Sequence, residues 1–147
     1  MSHIRKQIRD AIKTALTGLA LTGSRVYVNR LTPVAATDTP CLVIQTPSED
    51  LSNLRLLGPL HYQRTLAVTI DAYVSGTTLD DQLDAVCAQI EPAIANAGSL
   101  AGLTDYPLTL ESVRFEFEDQ ASPPVAVARL RLTAQTATLA ATPEVRA

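Results

Sequence analysis

The chain has 147 residues, a formal net charge of −3 and a hydrophobic fraction of 46%, and it lacks tryptophan. This length suits a single domain that buries a core without disulfide or metal cross-links. The negative charge argues against a general binder of polyanions, and no apolar run approaches the roughly 20 residues of a membrane span, so we expect no membrane partner.

The first predicted element is an amphipathic helix that Ser2 can cap. Its apolar positions recur at helical spacing: Ile4, Ile8, Ile12, Leu16 and Leu19. Four basic residues flank this apolar stripe: Arg5, Lys6, Arg9 and Lys13. They are either a solvated helix edge or a contact for an acidic partner or for passing nucleic acid. A charged helix at this position differs from a signal peptide, so we expect an intracellular protein.

Three strands are predicted after this helix, and the third one organises the sheet. Residues 25–30 alternate apolar and polar side chains, and residues 41–45 form a short apolar run that Pro40 precedes. Residues 60–75 show the longest strand pattern, with apolar even-numbered positions except for Arg64. The third strand therefore has one buried face on which helices can pack.

Residues 46–59 are predicted as a loop, because Pro47 and the pair Gly58-Pro59 interrupt regular structure. The segment nevertheless carries leucines and an arginine that we name as candidate interface residues: Leu51, Leu54, Arg55, Leu56 and Leu57. The leucines either fold back onto the protein's own core or form a surface for a partner. The four basic residues of the first helix complete the candidate interface.

A second helix is predicted to start at Thr77 or Thr78 and to end at Gly98. We expect a kink near Pro92 or a break just before it, because proline removes a backbone hydrogen bond. Three carboxylates lie near the start of this helix: Asp80, Asp81 and Asp84. The helix dipole favours acidic residues there, and this explanation suits them better than a metal site does.

The last two predicted strands, 108–119 and roughly 125–136, form a hairpin. The predicted register pairs Phe117 with Leu130, Phe115 with Leu132, Val113 with Ala134, Glu118 with Arg129 and Glu116 with Arg131. This register puts the phenylalanines in the core and the ion pairs outside, with a bulge near Ala128. Residues 138–147 are predicted as a flexible C-terminal arm that follows a single domain of residues 1–137.

The elements follow the order α-β-β-β-α-β-β, which favours an α+β fold. We expect a mixed, mostly antiparallel sheet of about five strands with two main helices packed on it. No internal repeat is present in the sequence.

No motif in the sequence carries catalysis. The two histidines, His3 and His61, have no spacing that pairs them with a nucleophile, and phosphate loops and zinc spacings are missing. Cys41 and Cys87 are expected to be buried free thiols. We therefore expect no enzyme and name no catalytic residue, metal ligand or cofactor. Specific nucleic-acid recognition is not expected either, because basic residues outside the first helix lie beside acidic ones.

Four stretches of the sequence together carry a resemblance to a known family. They are the first helix leading into RVYVNR, the strand TPCLVIQTPSED, the strand RTLAVTIDAYV running into TTLDDQLDAVCAQIEPAI, and the hairpin LESVRFEFEDQASPPVAVARLRLTAQTAT. These stretches resemble the tail terminator family of long-tailed bacteriophages, of the minor tail protein U type. The resemblance covers nearly the whole chain, and only the segment 138–147 lacks a recognisable counterpart.

The resemblance implies a structural protein of the virion without enzymatic residues. Its members form a hexameric ring on the tail tube, stop tube growth and offer a surface for joining the head. The implied partners are further copies of the chain, the tail tube protein and a head-completion or neck protein, and DNA would pass through the ring without specific recognition. The implied locations are the host cytoplasm during assembly and the head-proximal end of the tail. A head-side neck or connector protein, and a cytosolic enzyme with an unrecognised site, remain the alternatives.

Overall fold

A long central strand holds the sheet together, as the sequence predicts. The computed structural model describes residues 1–28, 30, 34–54, 58–118 and 123–146. The helices are α1 (Ile4–Leu16) and α2 (Leu79–Ala97), and a short 3-10 helix spans Ala36–Asp38. The strands are β1 (Val26–Val28), β2 (Cys41–Leu54), β3 (His61–Ser75), β4 (Thr109–Glu118), β5 (Val125–Leu139) and β6 (Thr142–Arg146).

The strands form one sheet in the order β1-β2-β3-β5-β4, and β6 also pairs with β5. β1 runs parallel to β2, whereas the other pairs are antiparallel. β3 pairs with β5 along its whole length and with β2 over most of it. The α+β fold with a mostly antiparallel sheet is therefore confirmed.

Both helices pack their apolar sides on one face of the sheet and form a single core with it. Four residues of the predicted stripe are buried, because Ile4, Ile8, Ile12 and Leu16 recur at the spacing that keeps them on one side of α1. The fifth, Leu19, lies beyond the end of the helix and is only partly buried. On the sheet, the even-numbered residues of β3 and β5 face this core, including Ile70. α2 runs through Pro92 as one helix rather than breaking before it. Buried Ile90 and Ile94 anchor the turns on both sides of the proline.

The predicted loop at residues 46–59 is wrong for its first part, because β2 continues to Leu54. A register shift between Gln45 and Ser48 takes up Thr46 and Pro47, after which pairing with β3 resumes. β1 pairs with β2 only at residues 42–44, so Pro47 lies where β2 is an edge strand within the described part of the chain. Proline is tolerated there because no neighbouring strand needs its missing N–H. Residues 55–57 lie outside the described residues.

The predicted hairpin register is wrong by four residues: Val113 pairs with Leu130 rather than with Ala134. The irregularity lies between Leu110 and Ser112, not near Ala128. A shift by an even number keeps each side chain on the same face, so the alternation of the two strands fits both registers. Phe115 now lies opposite Ala128 instead of Leu132.

The predicted flexible arm contains paired strand. β5 continues to Leu139, and β6 returns alongside it at Thr138 and Leu139. Thr138 is completely buried, because its small side chain fits beside Arg64 and accepts a hydrogen bond from it at 2.9 Å. The segment therefore extends the sheet instead of leaving it.

Candidate functional site

Three of the predicted basic residues of α1 border a cavity between this helix and the bulge of β2. Arg5, Lys6 and Arg9 line a cavity of about 350 Å³ together with His3 and Glu49. Lys13 lies exposed in the last turn of α1 and does not line it. The helical spacing that buries the apolar stripe also brings these cations to one side, where β2 turns past them at its bulge.

A buried ion pair lies beneath this cavity. Arg64 is 4% exposed and its Nη1 donates to Glu49 Oε1 at 2.8 Å, and the side chain of Glu49 is 7% exposed. Arg5 Nη1 reaches the same oxygen at 3.3 Å, so one carboxylate joins α1 to β3. The guanidinium of Arg64 also lies 5.6 Å from the centre of the Tyr62 ring. Desolvated charges in this arrangement hold the first turn of α1 against the sheet.

The sequence carried a signal for this ion pair. Arg64 is the charged residue on the otherwise apolar face of β3, and buried charges need a partner. Its partner Glu49 fell in the predicted loop, and only the extension of β2 through the bulge brings Glu49 opposite Leu66, beside Arg64. The pairing could not be predicted because the loop assignment hid the strand.

Two buried polar atoms at the cavity have no hydrogen-bond partner among the described residues: Glu49 Oε2 and Arg9 Nε. Arg9 instead uses Nη1, which donates to Thr46 Oγ1 at 2.9 Å. Buried polar atoms are usually satisfied, so these two have capacity for a polar group from outside the chain. The cavity therefore suits a contact more than a closed core position.

His3, rather than the predicted Ser2, caps α1. Its Nδ1 accepts a hydrogen bond from the backbone N–H of Arg5 at 3.1 Å. Burial lowers the pKa of His3 below its usual value, and the neighbouring cations Arg5 and Arg64 lower it further. The imidazole is therefore held neutral, which is the form that can accept this bond.

The predicted interface residues of the 46–59 segment are placed only in part. Leu51 is 51% exposed and lies opposite Arg64 in the β2–β3 pairing. The backbone of Leu54 ends β2, whereas its side chain and the whole of Arg55, Leu56 and Leu57 lie outside the described residues. Leu51 is thus the leucine of this set whose exposure the structure describes.

The opposite edge of the sheet carries a surface that sequence reasoning placed in the core. Phe115 is 48% exposed and Phe117 is 52% exposed, and they are the only phenylalanines of the chain. Their strand β4 is at the end of the sheet, while α2 packs over β3 and β5. The two-residue period correctly assigned them to the apolar face, but it does not tell whether a helix covers that face.

The acidic residues of α2 and the two cysteines do not line the cavity. Asp80, Asp81 and Asp84 are exposed on α2, and no group of three or more His, Cys, Asp or Glu suited to a metal ion occurs in the described ranges. Cys41 and Cys87 are buried free thiols, as predicted. Burial raises the pKa of Cys41 to about 11 and that of Cys87 also above its usual value, so both thiols stay protonated at neutral pH.

Comparisons with known proteins add no family to this description. A scan against models of protein families finds no match, and a search of curated proteins finds no match either. Neither helix in the described part of the chain is long and apolar enough to cross a membrane.

Proposed function

We propose that this protein is a structural subunit of a long-tailed bacteriophage, of the tail terminator type. In this proposal, six copies form a ring that caps the tail tube, stops its growth and provides the surface that a head-completion protein joins. The subunit acts by binding and not by catalysis, without a cofactor, and the DNA passes through the ring without being read. Its place is the host cytoplasm during assembly and then the head-proximal end of the tail.

The observation that supports this proposal best is the presence of two unlike surfaces at opposite edges of one sheet. The basic surface comprises Arg5, Lys6, Arg9 and Lys13 of α1 and the neighbouring edge of β2 with Leu51. The β4 edge comprises residues 109–118, with half-exposed Phe115 and Phe117. A closed ring uses head-to-tail contacts, which require two different patches on each subunit.

The charges of the two surfaces complement each other. Three exposed carboxylates lie on the β4 edge, and one exposed cation, Arg114, lies among them. These carboxylates are Glu111, Glu116 and Glu118. Within the basic surface, Arg5 and Lys6 pair with Glu49 and Asp10 of the same subunit, so Arg9 and Lys13 supply most of the positive charge for a neighbour. Their attraction to the carboxylates of the β4 edge would favour and orient the contact between subunits.

The test is electron microscopy of isolated tail tubes mixed with the purified protein. We expect six-membered rings at tube ends and fewer elongating tubes. Binding to heads in place of tubes would assign the protein to the head-side neck, and binding to neither would contradict the ring proposal and leave an unrecognised enzyme as the alternative.

A charge variant sharpens this test. Lys13→Glu changes an exposed residue of the basic surface and should reduce capping, with an effect that shrinks as salt screens the contact. Arg131→Glu is the matched control, because Arg131 is also exposed but lies on β5 and belongs to neither surface. Equal capping by both variants would show that the basic surface is not used.

A further inference from the structure

The outer side of β4 offers a complete strand edge. β4 pairs with β5 on one side, and no other described strand pairs with β4. Alternate residues of this ten-residue strand therefore present backbone N–H and C=O groups that pair with no strand in the described ranges. Proteins usually shorten, charge or cover such edges, because an exposed edge is a template for pairing with another chain.

The side chains of β4 divide by face. Val113, Phe115 and Phe117 lie on the face that carries the helices, whereas Arg114 and Glu116 lie on the opposite face. Arg114 makes no ion pair with any residue in the described ranges, and Glu116 Oε2 lies 3.3 Å from Arg129 Nη2. The edge thus combines an apolar row, a charged row and free backbone groups.

We propose that this edge binds the same edge of a second copy of the chain, in an antiparallel β4–β4 pair with Phe115 opposite Phe115 of the partner subunit. A two-fold axis normal to the sheet keeps the apolar rows of both copies on one face. In this register Phe117 lies opposite the partner's Val113. On the other face, Arg114 lies opposite the partner's Glu116, and the same pair occurs twice by symmetry.

The charges select this register over its neighbours. Shifting one strand by two residues relative to the other, in one direction, sets Glu116 opposite Glu116 of the partner subunit. The same shift in the other direction sets Arg114 opposite Arg114 of the partner subunit. Like charges directly opposite each other are destabilising. The proposed register has no such pair between residues 112 and 118, and it sets Ser112, a hydroxyl donor, opposite the partner's Glu118.

The pair goes beyond the ring proposed above and does not rest on it. It concerns the free protein in solution, where it covers the phenylalanines and joins two sheets into one. Because the β4 edge is also one of the two surfaces of the proposed ring, the pair would be the unassembled form, and ring assembly would require it to open.

The experiment is charge-reversal complementation, followed by native mass spectrometry and sedimentation over a range of concentrations without tail tubes. The wild-type protein should form a dimer that dissociates on dilution. Arg114→Glu sets two glutamates opposite each other, and Glu116→Arg sets two arginines opposite each other. Each variant alone should therefore have a dimer dissociation constant at least about ten-fold higher than that of the wild type. An equimolar mixture of the two variants should restore the dimer, because both cross-strand pairs are then of opposite charge.

Arg131→Glu should dimerise as the wild type does, and thermal melts should show that all variants remain folded. A wild-type protein that stays monomeric up to millimolar concentration, or a dimer that survives Arg114→Glu, would overturn the proposal. Failure of the mixture to restore the dimer would overturn the register. None of these results depends on tube capping, so the two proposals can fail separately.

Discussion

Arg64 and Glu49 show how a buried charge becomes a structural cross-link. Both ions lose their hydration on folding. The 2.8 Å contact between them compensates for this loss, together with the hydrogen bond from Arg64 to Thr138 and the ion pair of Glu49 with Arg5. Removing one partner of such a pair leaves the other desolvated, which costs more than removing both.

Arg64→Met should therefore destabilise the protein by about 3–5 kcal/mol. The double variant Arg64→Met, Glu49→Met should be less destabilised than Arg64→Met alone, because no unpaired carboxylate remains. Urea unfolding measures both. Lys6→Met is the control: its pair with Asp10 is exposed, so the loss should stay below about 1 kcal/mol. A similar cost for Arg64→Met and Lys6→Met would show that the buried pair contributes little.

His3 makes the start of α1 sensitive to acid. Its pKa is lower in the folded protein than in the unfolded chain, so its contribution to stability is present above the ordinary histidine pKa of 6.5 and is lost as the pH falls through the folded value. Protonation removes the Nδ1 acceptor for the Arg5 N–H, so the protection factors of the first α1 amides, which correct for the slower intrinsic exchange in acid, should fall as the pH drops through the lowered pKa of His3. His3→Gln should abolish this pH dependence and His61→Gln should preserve it. An unchanged dependence in His3→Gln would assign it to another group.

At the scale of elements, β4 and β5 share a pairing but differ in cover. Leu130 is 1% exposed beneath the helices and pairs with Val113 of β4. Phe115, two residues after Val113 on the same face, is half exposed. Substitutions on this apolar face should therefore cost more stability where the helices cover it than at the β4 edge.

Leu130→Ala should cost about 2–5 kcal/mol, because it leaves a cavity in the core. Phe115→Ala should cost about 1 kcal/mol in the free subunit at low concentration, well below the value for a buried ring, because water already reaches half of it. Thermal and urea unfolding of both variants provide the comparison. If Phe115→Ala were as costly as Leu130→Ala at low concentration, the Phe115 side chain would be buried within the monomer, and β4 would not present it at an exposed edge.

Elements with one strong period could be predicted from the sequence, and elements that depend on a neighbour could not. The α1 stripe and β3 follow from spacing alone. The second half of β2 is polar, and it forms a strand because β3 continues to pair with it after the bulge at Pro47. The hairpin register escaped prediction because an even shift preserves the alternation on which the pairing was based. In the candidate site, the cations of α1 were found and Glu49 was not.

At the scale of the whole molecule, the C-terminal segment ties separate parts together. Gln7 of α1 donates to the backbone oxygen of Glu144, and Arg146 forms an ion pair with Asp105 beyond α2. These contacts hold β6 against the sheet, although none of its residues is fully buried.

Truncation after Ala140 should destabilise the protein by about 1 kcal/mol or more, because it removes these hydrogen bonds and the β6 pairing. A flexible arm would give no change. Denaturant unfolding of the truncated chain decides between the two. Arg146→Ala alone should show the part due to this side chain, which pairs with Asp105 and donates to the backbone oxygen of Gly102.

The order of the central strands also bears on how the chain folds as the ribosome makes it. β2 and β3 are neighbours in sequence and can form a hairpin early, whereas the other partner of β3 begins at Val125, fifty residues after Ser75. Until that strand emerges, one side of β3 has no partner, and closing the pair then requires a long loop containing α2 and β4. The nascent chain therefore passes through a stage with an open, apolar sheet edge, at which chaperones would bind and at which slow translation between residues 76 and 124 would lengthen the exposure.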